Sequence, residues 1–100
     1  MIYKYDLGIP YQKGQGYFKL PIPRAQVKKV LDIQMQGSNA VLWAEVEQDY
    51  SDSYLDIAVV WTGFEKPKDF IYVATIQEPN TGLVYHYYIP PTVSYLTDIH

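Results

Sequence analysis

Residues 27–47 decide the fold: 27–36 read VKKVLDIQMQ, Gly37-Ser38-Asn39 follow, and 40–47 read AVLWAEVE. After Val30, the apolar Leu31, Ile33 and Met35 alternate with Asp32, Gln34 and Gln36, the period of two that marks a half-buried strand. Beyond the turn cluster, Leu42, Ala44 and Val46 alternate with Val41, Trp43, Glu45 and Glu47. Two alternating runs around a Gly-Ser-Asn turn predict an antiparallel hairpin.

The same reading extends outward to strands at 2–7, 17–20, 54–62, 70–77 and 83–89. Gly14 and Gly16 lie between the first two as the loop of a first hairpin, and Pro21 and Pro23 are expected to close the second, because proline cannot donate to a ladder. In 54–62, Leu55, Ile57, Val59 and Trp61 share a face. Pro79-Asn80-Thr81-Gly82 suggests a type I turn ending in a left-handed glycine. No window carries a helical repeat. The expectation is an all-β fold: a single small antiparallel β-sandwich or open barrel of about seven strands over residues 1–89. Pro90 and Pro91 then open a C-terminal arm, 90–100, whose Val93, Tyr95, Leu96 and Ile99 can dock on its own domain or on a neighbouring subunit, a route to a homo-oligomer.

With 100 residues and 48% hydrophobic content, one globular domain is expected. The chain has no cysteine, which excludes a disulfide framework, a thiolate nucleophile and cysteine-ligated zinc. No apolar run approaches the roughly 20 residues of a membrane helix, and the first ten residues lack the apolar core of a signal peptide. Neither membrane insertion nor export is therefore expected.

The net charge of −3 conceals a segregation along the chain. Lys4, Lys13, Lys19, Arg24, Lys28 and Lys29 crowd the first 29 residues, whereas 30–65 hold Asp32, Glu45, Glu47, Asp49, Asp52, Asp56 and Glu65 with no base. The two stretches either form a two-faced surface that steers a charged partner or neutralise each other once folded. Binding to nucleic acid usually needs a basic domain with clustered Lys and Arg, so it is not the expected function.

The side chains offer little for a reaction centre. His86 and His100 are the only histidines, and no pattern supplies His86 with a nucleophile or an orienting carboxylate. The expected role of His86 is a structural imidazole bonded to a neighbouring strand or turn. No serine occupies a nucleophile elbow, and Gly14-Gln15-Gly16 lacks the third glycine of a dinucleotide fingerprint. Glu47, Asp49, Asp52 and Asp56 have neither the spacing nor the glycine of a calcium loop. No catalytic, cofactor or metal residue is assigned, and no enzymatic activity is expected.

The eleven tyrosines, against three Phe and two Trp, speak for binding instead. Tyrosine and tryptophan combine a large apolar area with a polar tip and are enriched at interfaces. Tyr3 and Tyr5 share one face of the first strand, and Tyr85 and Tyr87 one face of the last. Trp43 should point outward unless a second layer covers it. The expected protein-binding face is Tyr3, Tyr5, Tyr85 and Tyr87 with Trp43, rimmed by Glu45, Glu47, Asp49 and Asp52; cross-strand packing of the same rings is the competing reading.

The order of landmarks adds a resemblance. Ile2-Tyr3-Lys4-Tyr5 leads to the stretch from Pro21 or Pro23 through Val30-Leu31, then Gln34-x-Gln36, Leu42-Trp43-Ala44-x-Val46, Thr62-Gly63, Tyr72-Val73-Ala74-Thr75 and Gly82-Leu83-Val84-Tyr85-His86. Over residues 2–89 this resembles a family of small proteins of tailed bacteriophages and prophages, a domain of unknown function. The first loop, 8–16, is longer than in that pattern, Trp61 stands where a small residue is expected, and the 90–100 tail is added. The resemblance implies a phage product in the host bacterial cytoplasm, or alternatively in the virion, and it carries over no catalytic residue. The expected function is a non-enzymatic bacteriophage accessory protein that binds a host macromolecule, a protein first of all, and modulates it, as in host takeover or defence inhibition; the partner is a host or phage protein, and a virion decoration or connector protein is the alternative.

Overall fold

The computed structural model describes residues 1–10, 15–91 and 94–95. They form strands β1 (Ile2–Gly8), β2 (Gly16–Ile22), β3 (Ala25–Gln36), β4 (Asn39–Gln48), β5 (Ser53–Trp61), β6 (Ile71–Gln77) and β7 (Val84–Ile89), and a two-residue β8 (Ser94–Tyr95). The strands build a small β-sandwich of two four-stranded sheets, ordered β1-β4-β3-β8 and β2-β5-β7-β6. All pairings are antiparallel except that of β8, which runs parallel to β3 at Lys29 and Val30. The described part of the C-terminal arm thus pairs within its own chain; 92–93 and 96–100 lie outside the described residues.

The hairpin expected at 27–47 is β3–β4, closed by a two-residue loop, Gly37-Ser38, between the paired Gln36 and Asn39. Gly37 has φ +63° while Ser38 does not enter the left-handed region, the pattern of a type II′ turn that follows the strand twist. The alternation of β3 is interrupted, however. Register shifts at Val27/Lys29 and Val30/Asp32 insert bulges, so Val30 and Ile33 both face the core and Leu31 is only half-buried.

Two further expectations change. Strands β1 and β2 belong to different sheets, so the first two segments form no hairpin. And β2 runs through Pro21 to Ile22, because it is an edge strand whose outer side needs no donor. The chain then swings back to the first sheet within Pro23-Arg24, with Arg24 at φ +52°. That corner is tied to the β4–β5 crossover beside it: Asp52 Oδ1 accepts from Arg24 N at 2.8 Å, and Arg24 O accepts from Asp49 N at 2.9 Å.

Between the sheets lie Leu42, Ala44, Val30 and Ile33 from one side and Leu55, Ile57, Tyr85, Tyr87 and Ile89 from the other, all at most 3% exposed. Each such aliphatic side chain contributes about 1.5–3 kcal/mol by leaving water. Tyr85 is the exception in kind: its hydroxyl is buried and has no hydrogen-bond partner among the described residues. An unpaired buried donor costs about 1–3 kcal/mol. Tyr85→Phe should therefore raise stability by about 1 kcal/mol, seen as a higher urea midpoint at unchanged slope. A lower midpoint would mean that the hydroxyl is satisfied after all.

The β6–β7 hairpin is organised by a fully buried carboxylate. Glu78 receives hydrogen bonds from Asn80 N (3.0 Å), Thr81 N (2.8 Å) and Thr81 Oγ1 (2.8 Å), and Gly82 at φ +73° returns its N–H to Glu78 O. Burial pushes the Glu78 carboxyl up, but these donors outweigh it and hold it below its ordinary value of 4.5. A depressed folded-state pKa stabilises above the unfolded value and is lost as pH falls through the folded one. The difference in Tm between wild type and Glu78→Gln, with the wild type higher at neutral pH, should therefore narrow as pH drops below 4.5. A difference independent of pH would show that the charged form carries no preference for the loop.

Candidate functional site

The pleat of β7 divides its aromatic residues: Tyr85, Tyr87 and Ile89 enter the core, and His86 and Tyr88 stand on the outer face of the second sheet. Ala58 and Val60 of β5 stand on that outer face too, paired with Tyr88 and His86, yet both are buried. The cause is topological. Strands β5 and β6 are both antiparallel to β7, which lies between them, so they run in the same direction and 62–70 must return along the sheet. The segment 64–68 crosses over β5 beside β2, with Pro67 buried.

Aromatic rings gather around this crossover. Tyr17 of β2 meets Phe70 edge to face at 5.5 Å, Tyr72 of β6 meets Tyr88 at 5.9 Å, and Trp61 meets Phe64 at 6.4 Å. Tyr17, Phe64 and Tyr72 remain 68%, 60% and 49% exposed, so these rings pack on one another while keeping a face in water. Beside the crossover lies a recess of about 400 Å³ whose lining includes Tyr17, Ala58, Val60, Phe64 and Pro67, with Lys66 and Lys68 among its polar groups.

A chain of side-chain hydrogen bonds fastens the crossover to the sheet. Tyr72 OH lies 2.8 Å from Thr75 Oγ1, Thr75 Oγ1 2.8 Å from His86 Nδ1, and His86 Nε2 2.9 Å from Thr62 Oγ1. Threonine hydroxyls donate and accept, so either neutral tautomer of His86 fits, with the direction of the other bonds adjusting to it. This agrees with a structural imidazole bonded to a neighbouring strand and turn. Its position makes Thr62, the first residue of the crossover, continuous with β7 and β6.

The face expected from the sequence is not assembled. Tyr85 and Tyr87 are 0% and 2% exposed, inner-face residues of the second sheet whose rings are closed to a partner. Burial, then the neighbouring Tyr85, raises the Tyr87 hydroxyl well above its ordinary range. Tyr3 and Tyr5 lie on β1, an edge of the other sheet, in edge-to-face contact at 6.5 Å. Tyr3 is exposed; Tyr5 packs against the core, and burial followed by Tyr3 raises its pKa. Trp43 is half-buried on the outer face of the first sheet, between Lys4 and Asp32.

The acidic rim dissolves as well. Glu45 pairs across the ladder with Lys29, Glu47 Oε2 lies 3.5 Å from Lys28 Nζ, and Asp56 is bonded to Lys19 at 2.9 Å. Asp52 caps Arg24 N, and Asp49 accepts from Gln26 Nε2 at 2.6 Å. The basic and acidic stretches thus meet across strands at Lys28–Glu47 and Lys19–Asp56, while Asp49 and Asp52 bond uncharged N–H groups. Among the described residues no group of three His, Asp or Glu side chains is placed to hold a metal ion, and no helix is long and apolar enough to cross a membrane.

Tyr17, Phe70, Tyr72 and Tyr88 are the residues that sequence reasoning passed over. Their signal was the outward half of the same alternation, His86 and Tyr88 opposite Tyr85 and Tyr87. Comparison with known proteins finds no match among curated proteins or solved structures. A family model does match, over residues 1–95, spanning every strand described above. The chain belongs to DUF7352, a domain of unknown function.

Proposed function

We infer that the protein is a non-enzymatic binding module that engages a protein partner through the outer face of its second sheet. One observation carries this reading: Tyr17 and Phe64 line an open recess beside the 62–70 crossover, Phe70 packs on Tyr17, and the Tyr72–Tyr88 pair stands next along the same face, Tyr88 opposite the recess residue Ala58. Rigid aromatic side chains with polar tips are the usual anchors of protein interfaces, and a concave apolar floor gives a partner's side chain somewhere to insert. The imidazole at the centre of the face ties Thr62 to Thr75 and so holds the crossover and β6 in fixed positions beneath a partner. The net charge of −3 supports a protein rather than a nucleic acid as the partner.

The landmark resemblance supports a bacteriophage setting, and with it a host protein as the partner in the bacterial cytoplasm. In that setting a small domain that binds and modulates a host component is the reading we adopt.

The test is a quantitative pull-down from host lysate with the wild type and with Tyr17→Ser/Tyr72→Ser. Both rings are exposed, and circular dichroism checks that losing the Tyr17–Phe70 and Tyr72–Thr75 contacts leaves the double variant folded. Loss of two interface anchors should reduce a specifically captured protein by about tenfold or more. Capture that is equal for both proteins, or that Tyr3→Ser abolishes instead, would remove the second sheet as the binding face.

A further inference from the structure

We propose that the free edge of β1 pairs antiparallel with β1 of a second copy, in a register written by Lys4 and Asp6. The four sheet edges are not equivalent. Strand β2 carries Pro21, β6 is interrupted by a bulge at Tyr72/Ala74, and the edge beyond β3 is occupied by the two-residue β8. These are the usual devices that blunt an edge. Among the described residues, β1 has no proline, bulge or covering strand between Ile2 and Asp6, where its only edge charges are Lys4 and Asp6, and its register shift comes at Asp6/Gly8.

The ladder shows which main-chain groups are open. Met1 and Val46 exchange both hydrogen bonds, N to O in each direction at 3.2 and 2.8 Å, so they form a hydrogen-bonded pair. In an antiparallel ladder such pairs alternate with non-bonded ones. Tyr3 and Tyr5 therefore bond to β4, while the N–H and C=O of Ile2, Lys4 and Asp6 point away from it. Ile2, Tyr3, Lys4 and Asp6 are all exposed, Ile2 by 62%.

Side-chain charge selects the pairing. With Tyr5 on the twofold axis, Lys4 stands opposite Asp6 of the second copy, and Asp6 opposite its Lys4. Both are positions whose main-chain groups are open, so the two strands exchange backbone hydrogen bonds at these same two pairs. Tyr5 then faces Tyr5 in a close non-bonded pair, and Tyr3 stands beside Leu7 of the other copy. Moving the register by one pair sets Lys4 against Lys4, which is repulsive. Lys4, which would deter a foreign apolar strand, is thus met by Asp6 of the second copy.

Equilibrium sedimentation of the full chain over a wide range of concentration tests this. The wild type should shift from monomer to dimer mass as concentration rises. Lys4→Asp, which forgoes only a bond to the exposed Gln36 amide, should raise the dissociation constant about tenfold by setting a carboxylate against Asp6 of the second copy. Asp6→Lys should weaken self-association likewise, and an equimolar mixture of the two variants should restore dimers, since each strand then faces its opposite charge. Circular dichroism confirms folding of each variant. Asp6 also bonds Asn39 and Gly8 N, so Lys4→Asp carries the test should Asp6→Lys unfold. A wild type that stays monomeric, a dimer that Lys4→Asp leaves unchanged, or a mixture of two folded variants that stays monomeric would each overturn the proposal.

Discussion

The sandwich depends on one corner. Both passages between the sheets at that end, β2 to β3 and β4 to β5, are joined through Arg24: its N–H is held by the Asp52 carboxylate and its C=O by Asp49 N. A non-glycine residue at φ +52° is unfavourable by roughly 1–2 kcal/mol, and a charge-assisted bond to a backbone N–H offsets that cost. With the corner closed, β2 must lie in the second sheet when β3 begins in the first, and their inner faces meet. Ser53 Oγ adds a bond to Ala25 O across the same gap. The carboxylates of Asp49 and Asp52 are therefore engaged in holding local geometry, Asp52 on Arg24 N and Asp49 on Gln26 Nε2.

The crossover 62–70 does for the outer face what the corner does for the inner one. A plain meander would have left Ala58 and Val60 exposed on a flat sheet. Placing β7 between two parallel strands sends the chain back over them, burying both and raising a wall beside them. The wall needs an anchor at its start, and Thr62 is bonded to His86; it needs one at its end, and Phe70 rests on Tyr17. The recess is therefore a consequence of strand order, and its depth is set by side chains that no single strand could supply.

This also explains what could be read from the residues alone. Every main strand was legible, because alternation and turn chemistry are local: Gly37 closes β3–β4 and Gly82 closes β6–β7 as their neighbours require. The faces were legible only where the period is unbroken. In β3 the bulge at Val30/Asp32 exchanges the expected inward Leu31 for Val30, and nothing in VKKVLDIQMQ marks it. Tyr85 and Tyr87 could be assigned to one face together, but which face is inward depends on the layer opposite, supplied by β3 and β4 far away in sequence. The acidic rim failed for the same reason, since Lys28 reaches Glu47 and Lys29 comes opposite Glu45 only through the register of a ladder.

The tyrosine surplus acquires its meaning from this partition. The same residue type fills three environments that differ in what happens to the hydroxyl. In the core, Tyr85 buries it with no partner among the described residues and burial raises the pKa of Tyr87, so there the ring acts as a large apolar filler. On the outer face of the second sheet, Tyr72 uses its hydroxyl in the chain to His86 and still exposes its ring. At the β1 edge, Tyr3 and Tyr5 brace each other where backbone groups are open. A phenylalanine would serve the first environment better, whereas the second needs the polar tip to orient the ring and the third needs it to keep an exposed edge wet until it is paired. Composition alone assigns all of them to binding; the pleat leaves the outer and edge tyrosines for it and withdraws the inner pair.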